Sequence, residues 1–165
     1  MDKQWFAVRT KSNREQITAG SLCGQGYETF LPLCTPAKTK SPERMTRQPL
    51  FPGYLFCRFD LRYRLPILQT SGVVHIVSIG SVPAPLRDDE IESLRIVIES
   101  EADVDRYPSL VAGQLVKLTE GPLAGARGII VRSGGKLLVV SITLLQRSVS
   151  VSVAREWLDS AIASN

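Results

Sequence analysis

The sequence predicts an α+β protein in which a mixed domain over residues 1–102 precedes a small β-barrel over residues 112–165. Two helix signals lie among aromatic and β-branched strand segments in the first part, whereas short strands separated by glycine turns fill the second. The 165 residues allow one or two domains, and 44% hydrophobic with 22% charged residues is typical of globular proteins.

The first elements are a strand, a helix and a second strand. Residues 5–9, Trp-Phe-Ala-Val-Arg, have the aromatic and branched side chains of a strand. Ser12 and Glu15 have the spacing of a capping box, in which each side chain accepts a backbone N–H at the start of a helix. We therefore expect a helix over residues 13–23 and a strand over residues 27–33.

A basic segment and an apolar segment follow each other along the chain. Residues 37–49 predict a basic loop or hairpin tip, because cations accumulate there and apolar side chains nearly vanish. Residues 50–59 are the most apolar and aromatic part of the sequence. Strand alternation after Gly53 places Tyr54, Phe56 and Arg58 on one face, and Leu55, Cys57 and Phe59 on the other. We expect the core to cover one face and a partner to be able to cover the other.

Three further elements complete the first domain. Residues 61–69 predict a short helix around Pro66, and residues 73–79 predict a strand. Residues 88–99 predict a helix with acidic residues in its first turn. Its apolar stripe consists of Ile91, Leu94 and Ile98.

The second domain follows a predicted linker over residues 103–111, which is polar and contains Pro108. Four strands are expected, at residues 114–120, 127–133, 136–143 and 148–153, with Gly134 and Gly135 in a hairpin turn. So short an all-β unit avoids exposed edges by closing into a barrel.

Charge is distributed unevenly along the chain. The net charge is +4, but residues 1–66 carry +6, residues 67–110 carry −5 and residues 111–165 carry +3. This asymmetry favours contact between one face and a polyanion through Coulomb attraction and counterion release. An uneven solvated surface is the alternative interpretation.

The sequence argues against an enzyme, a metalloprotein and a membrane protein. The three cysteines, Cys23, Cys34 and Cys57, form no CxxC pair and are interpreted as small buried hydrophobes. His75, the only histidine, has no nucleophile motif near it, and no catalytic residue, metal or cofactor is predicted. The longest nearly apolar run is too short to cross a bilayer, and the N-terminus lacks a secretion signal, which predicts a cytoplasmic protein.

Residues 113–131 resemble a KOW motif, in which glycines allow positive φ and close backbone approach between the first two barrel strands. The core of the motif here is Gly121, Pro122, Gly125 and Gly128. With Trp5-Phe6, the segment 50–54 and Gly72-Val73, nearly the whole chain resembles the NusG family of transcription elongation factors. Its ending at residues 144–149 looks more like a specialised NusG paralogue, of the kind represented by RfaH, LoaP and the UpxY regulators.

The resemblance implies an NGN domain, a four-stranded antiparallel sheet flanked by helices, tethered to an SH3-like KOW barrel. It implies a monomer whose NGN domain docks on the clamp helices of the RNA polymerase β′ subunit and bridges to the β subunit. That domain would also contact non-template DNA and suppress pausing or termination at particular operons. The barrel would recruit nascent RNA, a ribosomal protein or Rho. A KOW-type RNA-binding or ribosome-associated protein is the alternative hypothesis.

The resemblance also implies site residues. The polymerase-binding segment corresponds to Phe51, Pro52, Gly53, Tyr54 and Phe56, although these rings could instead fill the core. The nucleic-acid contacts correspond to Arg9, Lys11, Asn13, Arg14, Thr70, Ser71 and His75. His75 could equally turn toward the core. The partner loop of the barrel corresponds to Leu144, Leu145, Gln146 and Arg147, and has Leu-Gln where NusG has Phe-Gly.

Overall fold

A computed structural model describes residues 2–34, 47–107, 110–132 and 135–164. The described residues form two compact units, the first of residues 2–33 and 47–88 and the second of residues 34, 89–107, 110–132 and 135–164. Both helices and sheets are present, which confirms the α+β class. Most of the predicted basic loop, together with Pro108 and Gly134, lies outside the described residues.

An antiparallel four-stranded sheet forms the centre of the first unit. Its order is β2 (Glu28–Phe30), β5 (Tyr54–Phe59), β1 (Gln4–Thr10) and β6 (Val73–Ile76). The helices of this unit are α1 (Glu15–Gly24) and α2 (Leu65–Leu68). Two short ladders add to it: β3 (Leu33–Cys34) pairs with β4 (Gln48–Pro49), and β7 (Ser78–Ile79) pairs with β8 (Val82–Pro83).

One face of this sheet forms a hydrophobic core with the two helices. Phe6 and Phe59 lie in contact there, with ring centroids 4.7 Å apart, and Leu22 of α1 and Ile67 of α2 are fully buried against them. The same cluster contains Leu55 and Cys57, so this face of β5 meets the core. Strand alternation therefore directs Tyr54, Phe56 and Arg58 to the opposite face.

The predicted capping box is wrong. Helix α1 begins at Glu15, and its N-cap residue Arg14 makes no side-chain capping bond. Asn13 has a positive φ of 62° and separates Ser12 from the helix. The predicted strand over residues 73–79 is also interrupted, because β6 ends at Ile76 and the chain then folds back as the β7–β8 hairpin.

The second unit combines a helix with a six-stranded sheet. Helix α3 (Asp88–Glu99) has the predicted bounds and buries Ile91, Leu94 and Val97, while Ile98 is half-buried. The sheet order is β14 (Ile162–Ala163), β10 (Leu115–Lys117), β11 (Arg127–Arg132), β12 (Lys136–Ile142), β13 (Arg147–Ser152) and β9 (Val104–Tyr107). A short helix α4 (Arg155–Asp159) precedes β14.

Two features of the second unit differ from the sequence interpretation. The segment predicted as a linker contains β9, which pairs with β13 and exposes the polar residues Asp105 and Arg106. Helix α3, which the prediction assigns to residues 1–102, packs within the second unit: Ser93 Oγ accepts the Arg127 N–H at 2.9 Å, and the Asp89 carboxylate lies 3.6 Å from the Arg127 guanidinium. The domain boundaries that we expect from the sequence, at residues 102 and 112, stay a prediction.

The three thiols have different environments. Cys57 is fully buried, and this burial, with a smaller effect of the Glu28 charge, raises the pKa of its thiol to about 12. Cys34 is half-buried, and burial raises the pKa of its thiol too. Cys23 is exposed. The expectation that all three cysteines are buried is therefore correct only for Cys57.

We predict that iodoacetamide at pH 8 modifies Cys23 first and leaves Cys57 unmodified until the protein unfolds, because the thiolate is the reactive form and Cys57 is both buried and protonated. Mass spectrometry of tryptic peptides over time measures the order. Cys23→Ser is the control and should remove the fast phase. Modification of Cys57 in the folded protein at the rate of Cys23 would contradict this assignment.

Candidate functional site

A tight bend at residues 51–54 leads into β5 and is fixed by backbone hydrogen bonds. The Tyr54 N–H donates to the Phe51 carbonyl at 3.1 Å, and the Thr10 N–H of β1 donates to the Gly53 carbonyl at 2.8 Å. The Gly53 N–H donates to Oε1 of Glu15 at 3.1 Å. We call residues 51–54 the Pro-Gly bend.

Two features favour glycine at position 53 of this bend. Its φ of +84° lies in the left-handed region, which residues with a Cβ rarely adopt. A Cβ at this position would also lie 2.5 Å from Nη1 of Arg9. The Arg9 guanidinium lies over the ring of Tyr54, 4.9 Å from its centroid, so it contacts the bend on two sides.

The rings of the predicted polymerase-binding segment differ in exposure. Phe51 is 2% exposed and Phe56 is 0% exposed, and their rings meet edge to face at 5.9 Å. Phe30 of β2 lies 6.1 Å from Phe56 on the same face. Neither Phe51 nor Phe56 is therefore at the surface, whereas Pro52 is exposed and Tyr54 is half-buried. Polymerase contact by these residues stays a prediction.

Three predicted site residues form one row across the first sheet. Tyr54 of β5 is directly opposite Arg9 of β1, and Arg9 is directly opposite His75 of β6. Directly paired residues point to the same face, with Cβ atoms about 4.5–5.5 Å apart. His75 is exposed and Arg9 is half-buried, so His75 does not turn into the core. We call Tyr54, Arg9 and His75 the cross-strand row.

A second group of predicted nucleic-acid residues lines a concavity beside α1. This cavity of about 110 Å³ is lined by Lys11, Arg14, Ile17, Thr18, Ser21, Ser71 and Gly72. The Thr18 hydroxyl is buried and has no hydrogen-bond partner within the described ranges. Lys11, Arg14 and Ser71 are exposed. The concavity therefore offers two cations and hydroxyl groups, a combination suited to phosphate or a polar base edge.

Thr70 and Asn13 do not join either group in the structure. Thr70 is buried, and its hydroxyl is already used, because it donates to the Pro66 carbonyl at 2.9 Å and accepts from Nε2 of Gln25 at 3.0 Å. The structure therefore places Thr70 inside the unit and not on a contact surface. Asn13 is exposed in the turn before α1.

The KOW-like segment, residues 113–131, contains β10, the connection that follows it and most of β11. Gly121 and Gly125 have φ values of +80° and +94°, and a Cβ on Gly128 would lie 2.5 Å from the Val139 carbonyl oxygen. In the predicted partner loop, Leu144 and Leu145 are half-buried and Gln146 and Arg147 are exposed. Thr143, which precedes this loop, donates both its N–H and its hydroxyl to the Glu90 carboxylate of α3.

Sequence reasoning missed the position of Glu15. Its carboxylate is buried and contacts a glycine 38 residues away in sequence, so no local spacing could have identified the pair. Within the described ranges, no group of three or more His, Cys, Asp or Glu side chains could hold a metal ion. In the same residues no helix is long and apolar enough to span a membrane.

We predict that Gly53→Ala lowers the free energy of unfolding by roughly 1–3 kcal/mol, because alanine is strained at positive φ and its Cβ meets Arg9. Urea denaturation measures the change. Gly20→Ala in α1 is the matched control, since nothing lies within 4 Å of its added Cβ, and it should leave stability unchanged or raise it by up to about 1 kcal/mol. Equal effects of the two substitutions would refute the strain at the bend.

Comparisons with known proteins agree with this architecture. Residues 3–95 match the family model NusG, described as transcription termination factor nusG. The chain is 26% identical over 177 residues to the transcription termination/antitermination protein NusG of Thermus thermophilus, with 93% of this chain and 96% of that protein covered. It is 24% identical over 158 residues to the protein of the same name from Deinococcus radiodurans, with 79% and 83% covered.

The fold has a match among solved structures too. A structure described as domain interaction in Thermotoga maritima NusG superimposes with a TM-score of 0.53 and 22% identity, covering 95% of this chain and 96% of that one. The family match spans more than half of the 165 residues. The chain therefore belongs to the NusG family of transcription termination and antitermination factors.

Proposed function

We propose that this protein is a transcription elongation and antitermination factor that binds RNA polymerase and non-template DNA with its first unit and acts without chemistry. The observation that carries the proposal is the cross-strand row, in which Tyr54, Arg9 and His75 are neighbours on one sheet face of a NusG-family chain. The residues inferred to contact polymerase and those inferred to contact nucleic acid are thus continuous on that face.

The polymerase contact that we propose is the surface of the Pro-Gly bend, with the clamp helices of the β′ subunit as its partner. Pro52 is exposed and Tyr54 is half-buried, and both are held by a bend with fixed backbone geometry. A rigid aromatic side chain buries a large area at small entropic cost, which is why tyrosine is enriched at binding hot spots. Phe51 and Phe56 would then contribute as buried packing next to the bend and not as contact residues, since both rings are buried.

The nucleic-acid contact that we propose uses the concavity beside α1 together with His75. Lys11 and Arg14 would hold phosphates, and the exposed hydroxyl of Ser71 and the ring of His75 would contact base edges. Single-stranded non-template DNA fits this composition, because its bases are accessible and its backbone is anionic.

An RNA-binding function of the KOW-like sheet is the second candidate. Arg132 and Lys136 are directly opposite across β11 and β12, and like charges at such positions repel each other unless an anion lies between them. Arg127 is less available, because it forms an ion pair with Asp89. A nascent RNA partner would agree with the specialised-paralogue interpretation, since the loop has Leu145-Gln146 where NusG has Phe-Gly.

We predict that Tyr54→Ala weakens binding to core RNA polymerase about ten- to thirtyfold, as expected for loss of an aromatic hot spot. Fluorescence titration measures affinity, and a pause assay on a defined template measures activity. Tyr63→Ala is the matched control, because Tyr63 is 65% exposed in the same unit but lies away from the bend. Unchanged polymerase binding by Tyr54→Ala, with RNA still bound by the intact chain, would favour the RNA-binding candidate.

We predict that the double variant Lys11→Gln and Arg14→Gln weakens binding to single-stranded DNA and reduces the salt slope of log K by about 0.7 for each lost phosphate contact. Filter binding at several salt concentrations measures the slope. The control removes two exposed cations elsewhere in the unit, with Arg62→Gln and Arg64→Gln. An equal loss in both double variants would indicate general Coulomb attraction and no localised site.

A further inference from the structure

We infer that Glu15 is a positioning residue for the polymerase-binding surface, acting through the Gly53 N–H. This inference rests on the proposed function, because it assumes that the Pro-Gly bend contacts polymerase. The Glu15 side chain does not itself reach that surface, since the residue is only 7% exposed. Its effect is to hold the backbone from which Pro52 and Tyr54 project.

The Pro-Gly bend is held through both backbone polar groups of Gly53, its carbonyl and its N–H. The Gly53 carbonyl accepts from Thr10 of β1, and the Gly53 N–H donates to the carboxylate of Glu15. The first contact ties the bend to the central strand, and the second ties it to the first residue of α1. Because Gly53 is anchored to two elements, the residue that follows it, Tyr54, has little freedom to change its direction.

Removing the Glu15 acceptor would leave the Gly53 N–H buried without a partner. A buried donor without an acceptor is costly, so the bend would rearrange to reach water or another acceptor. Apparent affinity falls in proportion to the fraction of molecules that hold the binding-competent bend. A bend that samples other conformations therefore binds polymerase more weakly even when the unit stays folded.

Glu15 also lies in the first turn of α1, where a negative charge interacts favourably with the helix dipole. This second role is purely structural and must be separated from the first. Glu15→Gln keeps an oxygen at the same reach and removes the charge. Glu15→Asp keeps the charge and shortens the side chain by one methylene, so that it no longer reaches Gly53.

The experiment measures polymerase affinity and amide hydrogen exchange for Glu15→Gln, Glu15→Asp and the unmodified full-length chain, at a temperature where all are folded. We expect Glu15→Asp to weaken polymerase binding about ten- to a hundredfold and to accelerate Gly53 exchange, while Glu15→Gln stays within about threefold of the unmodified chain. Amides of β1 report global unfolding and should be equally protected in all three proteins.

Asp60→Ala is the matched control. Asp60 lies after the far end of β5, and its carboxylate likewise accepts a backbone N–H, that of Arg62, at 3.0 Å. Its loss should leave both polymerase affinity and Gly53 exchange unchanged. If Glu15→Asp behaves like the unmodified chain in both measurements, or if Glu15→Gln loses as much affinity as Glu15→Asp, the positioning role is wrong.

Two outcomes separate this inference from the proposed function. If Tyr54→Ala weakens polymerase binding and Glu15→Asp does not, the docking surface stands and the role of Glu15 fails. If Gly53 exchange accelerates in Glu15→Asp while neither variant alters polymerase binding, Glu15 fixes the bend but the bend does not contact polymerase. That second result also overturns the inference, because the proposed polymerase contact on which it rests would then be wrong.

Discussion

The register of β1 between β5 and β6 is the constraint on which the candidate site depends. Phe6 and Val8 are fully buried on the core face, and burial of each such side chain contributes roughly 1.5–3 kcal/mol. A slip of one residue would exchange this set with Trp5 and Ala7, which are buried on the other face, so both packed faces of β1 would have to rearrange and the slip is strongly disfavoured. The same register fixes Arg9 opposite both Tyr54 and His75, so packing of the core indirectly determines which residues form the cross-strand row.

The elements that the sequence predicts best are those whose signal is local. Strand β5 has the predicted alternation because one of its faces meets the core throughout its length, and α3 has the predicted bounds because acidic and apolar residues mark its turns. Gly121 and Gly125 of the KOW-like segment have the predicted positive φ, and Gly128 has the predicted close backbone approach, since both constraints limit the residue type directly.

The features that sequence reasoning could not predict depend on contacts between distant residues. The Ser12–Glu15 spacing fits a capping box, yet the carboxylate of Glu15 binds a glycine brought close only by the pairing of β1 with β5. Phe51 and Phe56 look like interface residues in an apolar segment, but both rings are buried in the fold, where they meet edge to face. Thr70 resembles a polar contact residue in the sequence, but in the structure its hydroxyl is hydrogen-bonded to Gln25 and to the Pro66 carbonyl.

Arg9 illustrates why the two contacts proposed for the first unit need not compete. A guanidinium that lies over a ring uses its planar face for the cation–π contact, while its N–H groups point outward in the plane. In this unit the Arg9 guanidinium lies against the Tyr54 ring and next to Gly53, while the Arg9 backbone is paired with His75 on the neighbouring strand. One side chain can thus support an aromatic anchor and still present donors to an anion. Under the proposed function, loss of Arg9 would therefore affect both contacts, because Arg9 packs on Tyr54 and is paired in register with His75.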